Sequence, residues 1–496
     1  MKFHKKIVAL VVVCLVVFSS VLPTAVYASA SGVIGSEAKE HIASELRSAR
    51  IPNAAIAIIQ DNEVSYILKD STEDTLFQIG SVSKSFTGFG VLLLEEKGLL
   101  SVNDPINKHM PWFEVNYQGA PVPHEDITIS NLLQHTSGFT SDERHFPSSI
   151  GGLTEDEFIS QVIGSELAFY PSERHVYGNI NYIILGLLIE AVSGQSYDEF
   201  MTHNVLHPLG LYHTFTNPQH AYATGHVIGG NSLGFFRAWS RDVPVDILTV
   251  PTGYIYSNIT DMTRWAGIHL GRIDVGEQFT RIVEQSHLYN SSSGSPFSDG
   301  WGYGAGWVVV EESGMVGHNG QTPGYSATVR MYPYRDTAVI ALANLNLIEM
   351  DHVSTFVLNT VEEGRTVHTL QTDFFVFVDI AYIIATVIGM VYVSLFVWLG
   401  VRVTKKIRSD KEAKRKINFK VSWLIDLIIS VAILMGFYII PSILMHNSHG
   451  FLVHFGPISG FSATIAMWIM TVYSLCSLLA KMFVLPPKKA LTKRED

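Results

Sequence analysis

A serine and a lysine three residues apart have the types and the spacing for covalent catalysis. A strand-like end runs through Gly80 into Ser81, and a helical pattern continues from Val82 to Leu94. This predicts Ser81 at the first turn of a buried helix, with Lys84 on the same face. Amides at a helix N-terminus stabilise an alkoxide, and an amine with a lowered pKa accepts the hydroxyl proton. The same pattern also fits a helix N-cap serine followed by a solvated lysine.

The elements around this pair indicate an α+β fold. Strand-like runs occur near both ends of the region, at 54–59, 64–68, 304–310, 326–332 and 337–343. Helical patterns occur at 36–50, from Val82 to about Gly98, and at 127–134, 179–192, 261–270 and 353–362. Residues 139–175 and 215–257 have no clear period and are interpreted as irregular. Strands at both ends of a largely helical middle predict an antiparallel sheet flanked by helices, with an inserted helical subdomain.

The N-terminus predicts export. Three lysines precede an apolar run from Ile7 to Phe18, and Ala28-Ser29-Ala30 offers a cleavage site, so residues 1–30 are interpreted as a signal peptide. The two cysteines lie in apolar runs outside the predicted hydrolase domain, residues 31–365, which must therefore be stabilised by its core. The net charge of -11, with basic residues crowded near the C-terminus, excludes nucleic acid as a partner.

The C-terminal part predicts a membrane anchor. Three apolar stretches, 374–403, 421–445 and 457–484, are long enough to cross the roughly 30 Å core of a bilayer. Basic residues crowd the intervening loop, 404–420, and the tail, 485–496, which predicts that both are cytoplasmic. The chain is therefore expected to be a multi-pass cell-membrane protein with its hydrolase domain outside. The lipid bilayer is then its partner through three transmembrane helices, with Asp379 and Asp426 near the membrane interfaces.

Three separated motifs, read together, carry a family resemblance. They are Ser81-Val82-Ser83-Lys84, Tyr177-Gly178-Asn179 and His318-Asn319-Gly320, in the order S-x-x-K, Y-x-N and H-x-G. About residues 35–360 resemble the serine β-lactamase and penicillin-binding-protein superfamily, in the branch of class C β-lactamases, DD-carboxypeptidases and D-aminopeptidases. The resemblance implies a β-lactamase/DD-peptidase-like fold that acts without a cofactor. The sequence contains no metal-binding motif.

The resemblance implies a role for each motif residue. Ser81 is the nucleophile that carries the acyl group, and either Lys84 or Tyr177 is the acylation base. Asn179 is expected to hydrogen-bond the substrate's amide side chain. A phenolate at Tyr177 requires nearby cations, Lys84 and also His318 if it is protonated. The alternatives for Tyr177 and His318 are a core aromatic and a satisfied buried histidine.

The third motif departs from the K-T-G pattern that is more frequent in β-lactamases. His318 removes a fixed positive charge for a substrate carboxylate, because histidine is largely neutral near pH 7. Asn319 is expected to contact a carboxamide or to support its strand, and Gly320 and Gln321 complete the substrate-binding set. The resemblance implies an oxyanion hole built from the amides of Ser81 and Gln321. Of two further histidines, His135 is interpreted as structural and His226 as a surface-loop residue or a weak substrate contact.

Three functions remain open at this stage. The favoured one is an outward-facing serine hydrolase of a small acyl-peptide or ester substrate, with a D-amino acid preferred. The alternatives are a cell-wall DD-carboxypeptidase, penicillin-binding protein or β-lactamase, and a non-catalytic β-lactam-binding or sensory protein. The order of domains also resembles that of membrane-anchored D-asparaginyl peptidases, which unmask prodrug forms of antibiotics and toxins.

Overall fold

The computed structural model describes residues 35–483 with internal gaps. The gaps are 61–62, 141–153, 236, 242–244, 291–299, 347–349, 363–373, 410–427, 430, 433–434 and 436–458. Three of the predicted segments therefore lie wholly or almost wholly outside the described residues. They are the signal peptide 1–30, the second membrane span 421–445 and the tail 485–496.

Fourteen strands are present among the described residues. They are β1 Ala54–Gln60, β2 Glu63–Lys69, β3 Phe77–Gln78, β4 Val115–Tyr117, β5 Ala120–Pro121, β6 Ser165–Glu166, β7 Asn231–Gly234, β8 Arg237–Ser240, β9 Tyr256–Ser257, β10 Trp301–Tyr303, β11 Val308–Val310, β12 Met315–Gln321, β13 Ser326–Tyr332 and β14 Thr337–Ala343.

The α-helices of the described residues lie mostly between β3 and β10. They are α1 Ser36–Ser48, α2 Ser83–Glu96, α3 Ile129–Leu133, α4 Glu155–Val162, α5 Asn179–Ser193, α6 Tyr197–Met201, α7 Pro218–Ala223, α8 Val250–Gly253, α9 Ile259–His269, α10 Glu277–Ser286, α11 Met350–Glu362, α12 Phe374–Ser409 and α13 Ser459–Phe483.

The main sheet joins strands from the two ends of the domain. Its order is β10-β11-β12-β13-β14-β1-β2, and every neighbouring pair is antiparallel. The first two strands of the chain therefore pair next to the last one, and the helices from α2 to α10 form the insertion between them. This confirms the predicted α+β fold with an antiparallel sheet and flanking helices.

Both faces of the sheet are buried, as the alternation along β1 shows. Ala55, Ala57 and Ile59 belong to the large core shared with the inserted helices. Ile56 and Ile58 instead pack in a second core on the other face, which α1 and α11 cover. Because side chains alternate across a strand, a strand buried on both faces is apolar throughout. The sheet is thus the middle of three layers, and it fixes the position of β12 relative to α2.

The structure corrects three sequence predictions. Residues 139–175 are not irregular throughout, since they contain α4 and β6. Residues 215–257 are not one long loop, since they contain α7, α8 and the hairpin of β7 and β8. The predicted strand 304–310 is shorter, because Gly304–Gly306 forms the turn between β10 and β11, and Gly306 has a φ of 87°. Short elements without a clear period are missed because their positions depend on tertiary contacts.

Two stretches of the C-terminal helices are long and apolar enough to cross a membrane among the described residues. They are Asp379–Lys406 within α12 and Ser462–Ala480 within α13. The helices pack closely, because a Cβ on Gly389 would overlap Ala466. Thr386 and Ser462 also share a 2.9 Å hydrogen bond between their hydroxyls. Small residues and a polar pair are typical of contacts between membrane helices.

Candidate active site

The candidate nucleophile lies at a sharp entry to α2. Ser81 is in a 3-10 turn, Gly80–Val82, and the α-helix itself begins at Ser83. The sequence predicts Ser81 at the first turn of the helix; this turn is 3-10 and runs directly into α2, so Ser81 lies two residues before the first α-helical residue. Gly80 has a φ of 54°, a conformation that favours glycine. The turn leaves Ser81 half-buried, whereas Lys84 is completely buried.

The backbone segments that carry the amides of Ser81 and Gln321 meet beside this turn. A Cβ added to Gly80 would overlap the backbone nitrogen of Gln321, and one added to Gly320 would overlap the carbonyl oxygen of Ile79. Only glycine allows the turn and β12 to approach this closely. The amides of Ser81 and Gln321, predicted to form an oxyanion hole, therefore belong to two backbone segments in direct contact.

The Lys84 amine connects the three elements of the site. Its Nζ lies 3.1 Å from Ser81 Oγ, 2.7 Å from Asn179 Oδ1 at the start of α5, and 2.6 Å from the carbonyl oxygen of Thr252 in α8. Among the described residues, no carboxylate forms an ion pair with it. Burial lowers the pKa of the Lys84 amine well below its ordinary value of 10.5. The amine is therefore held by neutral oxygens and is inclined to lose its charge.

Tyr177 lies on the other side of the amine. Lys84 Nζ is 4.9 Å from the centre of the Tyr177 ring. Burial raises the pKa of the Tyr177 hydroxyl above its ordinary value of 10, although the nearby Ser81 and Tyr303 side chains partly lower it. This hydroxyl is buried, and no group among the described residues meets both the distance and the angle of a hydrogen bond to it. The phenol is thus protonated and lies beside the Lys84 amine, while its ring also packs against the large core.

His318 is a neutral residue with both ring nitrogens engaged. Its Nδ1 lies 2.5 Å from the Asn319 carbonyl oxygen and must donate, so Nε2 accepts a hydrogen bond from the Tyr303 hydroxyl at 2.8 Å. Burial, followed by the Lys84 charge, lowers the pKa of His318 to about 3. His318 therefore supplies no cation to a Tyr177 phenolate, which was the role expected of it if it were protonated.

Asn319 faces away from the predicted site. Successive residues of a strand point to opposite faces, so Asn319 is turned away from the face of His318 and Gly320. Its side chain is exposed, and its Oδ1 accepts a hydrogen bond from the Thr328 hydroxyl at 2.7 Å. These contacts favour support of the strand over contact with a substrate.

The edge of β12 that borders Ser81 is available for a substrate backbone. Among the described strands, β11 pairs with β12 only as far as Gly317, whereas β13 pairs with it as far as Gln321. The segment from His318 to Gln321 therefore has a strand on one side only. An extended peptide could add to this edge and place its carbonyl carbon next to Ser81.

Two residues outside the predicted set complete the surroundings. Tyr303 orients His318, and the sequence signal for it is the segment Tyr303-Gly304-Ala305-Gly306-Trp307, which also resembles the β-lactamase and penicillin-binding-protein superfamily. The Thr252 carbonyl gave no signal, since it is a backbone group. His135 is buried, and its Nδ1 accepts hydrogen bonds from Asn181 Nδ2 and from the backbone amide of Gly178. His226 is exposed.

The sheet order and the inserted helices are those of a β-lactamase-like fold. The chain belongs to the Beta-lactamase family, whose model matches residues 38–359. Protein flp of Staphylococcus aureus (strain MRSA252) is 28% identical over 440 residues, which is 84% of each chain. Penicillin-binding protein 4* of Bacillus subtilis (strain 168) is 27% identical over 297 residues, covering 55% of this chain and 61% of that protein.

Solved structures agree on the architecture. The octameric penicillin-binding protein homologue from Pyrococcus abyssi superposes with a TM-score of 0.55 at 23% identity, covering 66% of this chain and 77% of its own. A class C beta-lactamase superposes with a TM-score of 0.56 at 17% identity, covering 67% of this chain and 99% of its own. At such identities the likeness shows the fold alone.

Proposed function

We propose that this protein is a membrane-anchored serine hydrolase that forms an acyl-enzyme on Ser81 and cleaves an amide or ester, with a D-amino-acid substrate preferred. The observation that carries the proposal is the buried Lys84 amine, hydrogen-bonded to Ser81 Oγ and without a carboxylate partner among the described residues. An amine of lowered pKa beside a half-buried hydroxyl is the arrangement that activates a serine.

Lys84 is the acylation base that this geometry favours. A neutral amine has two N–H groups and one lone pair, and the oxygens of Asn179 and Thr252 can only accept. The two N–H groups point to these oxygens, so the lone pair faces Ser81 Oγ. Attack on the carbonyl forms the C–O bond while the hydroxyl proton moves to Lys84 Nζ.

Tyr177 acts as the proton donor to the leaving group. Its phenol is protonated and lies beside the Lys84 ammonium that acylation creates. The phenol gives its proton as the carbonyl carbon releases the leaving amine or alcohol, and Lys84 returns a proton to Tyr177. In the second half-reaction, water adds to the ester, its proton passes to the same pair, and Ser81 Oγ leaves with a proton. The amides of Ser81 and Gln321 stabilise the oxyanion in both halves.

The neutral His318 bears on the choice of substrate. A cell-wall carboxypeptidase or a β-lactamase must hold a carboxylate next to the scissile bond, and a fixed cation serves that purpose. With a pKa of about 3, His318 offers no charge at neutral pH. This supports an amide or ester without a neighbouring carboxylate over the carboxypeptidase, penicillin-binding and β-lactam-sensor alternatives.

The proposed topology places the hydrolase domain outside the cell. It rests on the basic residues after the first span, on the predicted signal peptide and on the two apolar helical stretches. The similarity to protein flp covers 84% of the chain, so it continues beyond the family match. Three spans, at 374–403, 421–445 and 457–484, remain our proposal for the anchor.

A narrower form of the proposal takes an N-acyl-D-asparaginyl cap as the substrate. An outward hydrolase held at the bilayer suits a cap with an apolar acyl end. The contact of Asn319 with Thr328 removes the residue expected to recognise the carboxamide, so the domain order is the remaining support. Full-length protein given N-acyl-D-asparaginyl and N-acyl-L-asparaginyl amides tests this form, and equal rates on both would exclude it.

The covalent mechanism is tested by screening full-length protein in detergent against D-aminoacyl, acyl-D-aminoacyl and ester substrates. We expect Ser81→Ala to abolish turnover, and the mass of the wild type to increase by the acyl group at Ser81 under steady-state conditions. Near-normal turnover by Ser81→Ala would contradict the mechanism. Acylation by a fluorescent penicillin without turnover of any substrate would favour the penicillin-binding or sensory alternatives.

A further inference from the structure

The hairpin of β7 and β8 carries an exposed aromatic and basic tip. Phe235 and Trp239 are 38% and 40% exposed, and the Arg237 guanidinium lies 4.5 Å from the centre of the Trp239 ring. Trp239 pairs with Ser232 across the hairpin, and its indole reaches towards the tip, where it donates to the Gly234 carbonyl oxygen at 2.7 Å. Exposed aromatic rings beside a basic side chain are typical of elements that lie at a bilayer interface.

The tip is attached to the membrane helices. The backbone amide of Phe235 donates to Asp379 Oδ1 at 3.2 Å, and the Ser459 hydroxyl in α13 donates to the same oxygen. Asp379 is fully buried, and it is the first residue of the apolar stretch Asp379–Lys406. The predicted first span, 374–403, begins five residues before Asp379, so at 1.5 Å per residue Asp379 lies about 7.5 Å from its outer end. Asp379, and the tip bonded to it, thus lie near the outer edge of the bilayer core in the proposed topology.

The base of the same hairpin is attached to the rim of the candidate active site. The Asn231 amide donates to the Gly324 carbonyl oxygen at 3.0 Å, and the Ser232 hydroxyl donates to the Pro323 carbonyl oxygen at 2.8 Å. Pro323 and Gly324 belong to the turn that directly follows Gln321, the residue of the candidate oxyanion amide. A four-residue strand is about 13 Å long, so the rim lies about one such length from the tip.

We propose that this hairpin is a membrane-interface element whose tip inserts Phe235 and Trp239 into the headgroup layer of the phospholipid bilayer, with Arg237 towards the lipid phosphates. Asp379 fixes the depth of the tip, and the hairpin holds the rim of the site close to the lipid surface. The inference goes beyond the proposed reaction and rests on the proposed topology for the presence and the depth of the bilayer.

The test measures the fluorescence of Trp239 in full-length protein reconstituted into phosphatidylcholine and phosphatidylglycerol vesicles. The difference between wild type and Trp239→Phe gives the emission of Trp239 alone. We expect lipids brominated near the headgroup to quench this emission more than lipids brominated near the chain ends, and aqueous iodide to quench it weakly. Strong quenching by iodide without quenching by bromolipid would overturn the proposal. Protection from both quenchers would indicate a protein partner and would also overturn it.

Matched variants separate this inference from the topology. Trp398→Phe reports a tryptophan within the apolar stretch of α12, and Trp112→Phe reports one in the hydrolase domain. If bromolipid does not quench Trp398, the topology is refuted. If bromolipid quenches Trp398 but not Trp239, only the proposed insertion of the hairpin is refuted.

Asp379→Leu removes the acceptor for the Phe235 amide and is expected to make Trp239 accessible to iodide. Asp379→Asn keeps an acceptor and should preserve bromolipid quenching, and an Asp379→Leu protein that behaved like wild type would refute the docking.

Discussion

The surroundings of Lys84 and Asp104 show two ways of holding an ionisable group. Asp104 accepts hydrogen bonds from Lys108 at 2.7 Å, His109 at 2.8 Å and the Ser101 amide at 2.9 Å. These bonds, with Lys108 first, hold the pKa of the Asp104 carboxyl well below its usual range. Lys84 has three contacts of similar length, but every partner is neutral. A charged partner fixes the charge of a group, whereas neutral partners in a buried place leave it able to exchange a proton.

The largest expected effect follows from removing the amine. Lys84→Ala leaves Ser81 without a proton acceptor, and we expect hydrolysis to fall by about 10³-fold or more on any substrate that the wild type cleaves. Lys97→Ala at the other end of α2 is the matched control, since that residue is exposed and its amine contacts Asn204 and the Phe200 ring, both far along the chain from the site motifs. Equal activity of the two variants would show that Lys84 does not take part in proton transfer.

Two tyrosines allow a finer comparison within the site. Tyr177→Phe removes the proton donor beside Ser81, and we expect about a 10²-fold loss of kcat. Tyr303→Phe removes the donor to His318 Nε2 and a hydroxyl beside Tyr177, but it leaves the Tyr177 phenol in place. We expect a smaller loss, mainly in KM, because Tyr303 acts chiefly through the orientation of His318. Steady-state kinetics on one substrate checks both values. A larger kcat loss for Tyr303→Phe would reverse the assignment of roles.

Acid is expected to destabilise the domain through histidines that burial keeps neutral. Burial lowers the pKa of His318 to about 3 and the pKa values of His175 and His287 to about 4. An unfolded histidine binds a proton near pH 6.5, so below that pH the unfolded state takes up protons that the folded state refuses. The free energy of unfolding then falls by about 1.4 kcal/mol per pH unit for each such histidine until its folded pKa is reached.

Thermal unfolding of full-length protein in detergent, from pH 7.5 towards pH 4.5, checks this sign. We expect Tm to decrease steadily below pH 6.5, and His287→Gln to make the decrease shallower. His226→Gln is the control, since His226 is exposed and should leave the slope unchanged. A Tm that stayed constant or rose on acidification would show that these histidines are not held neutral by the fold.

The smallest effect is expected at the paired carboxylate. Asp104→Asn removes the charge that Lys108 and His109 contact and should lower the free energy of unfolding by about 1 kcal/mol, because solvent screens a pair this near the surface. Activity should be unchanged. Chemical denaturation and a rate assay check the two expectations. A loss of activity similar to that of Lys84→Ala would contradict the claim that Asp104 only stabilises the fold.

The sequence predicts the strands and helices with strong periodicity and the order of the motifs. The bounds of β13 and β14 agree with the predicted runs, and α5 begins at Asn179 as expected. The direction of Asn319 and the protonation of His318 depend on the pairing of β12 and on burial, which local patterns do not encode. The contact of the Thr252 carbonyl oxygen with Lys84 and the contact between Gly80 and Gln321 involve backbone atoms from distant parts of the chain. No residue type in the sequence therefore indicates them.

The measurement that tests the central claim most directly compares the pH dependence of acylation in wild type and Asn179→Asp. The substitution keeps the shape of the side chain and gives Lys84 an oppositely charged partner, as Lys108 is for Asp104. This partner should raise the pKa of the amine by about 1–3 pH units. We predict that the acidic limb of the acylation profile moves upward by that amount, while Asn179→Ala lowers the rate without this shift. A limb that stays in place in Asn179→Asp would contradict the claim that a neutral Lys84 amine activates Ser81.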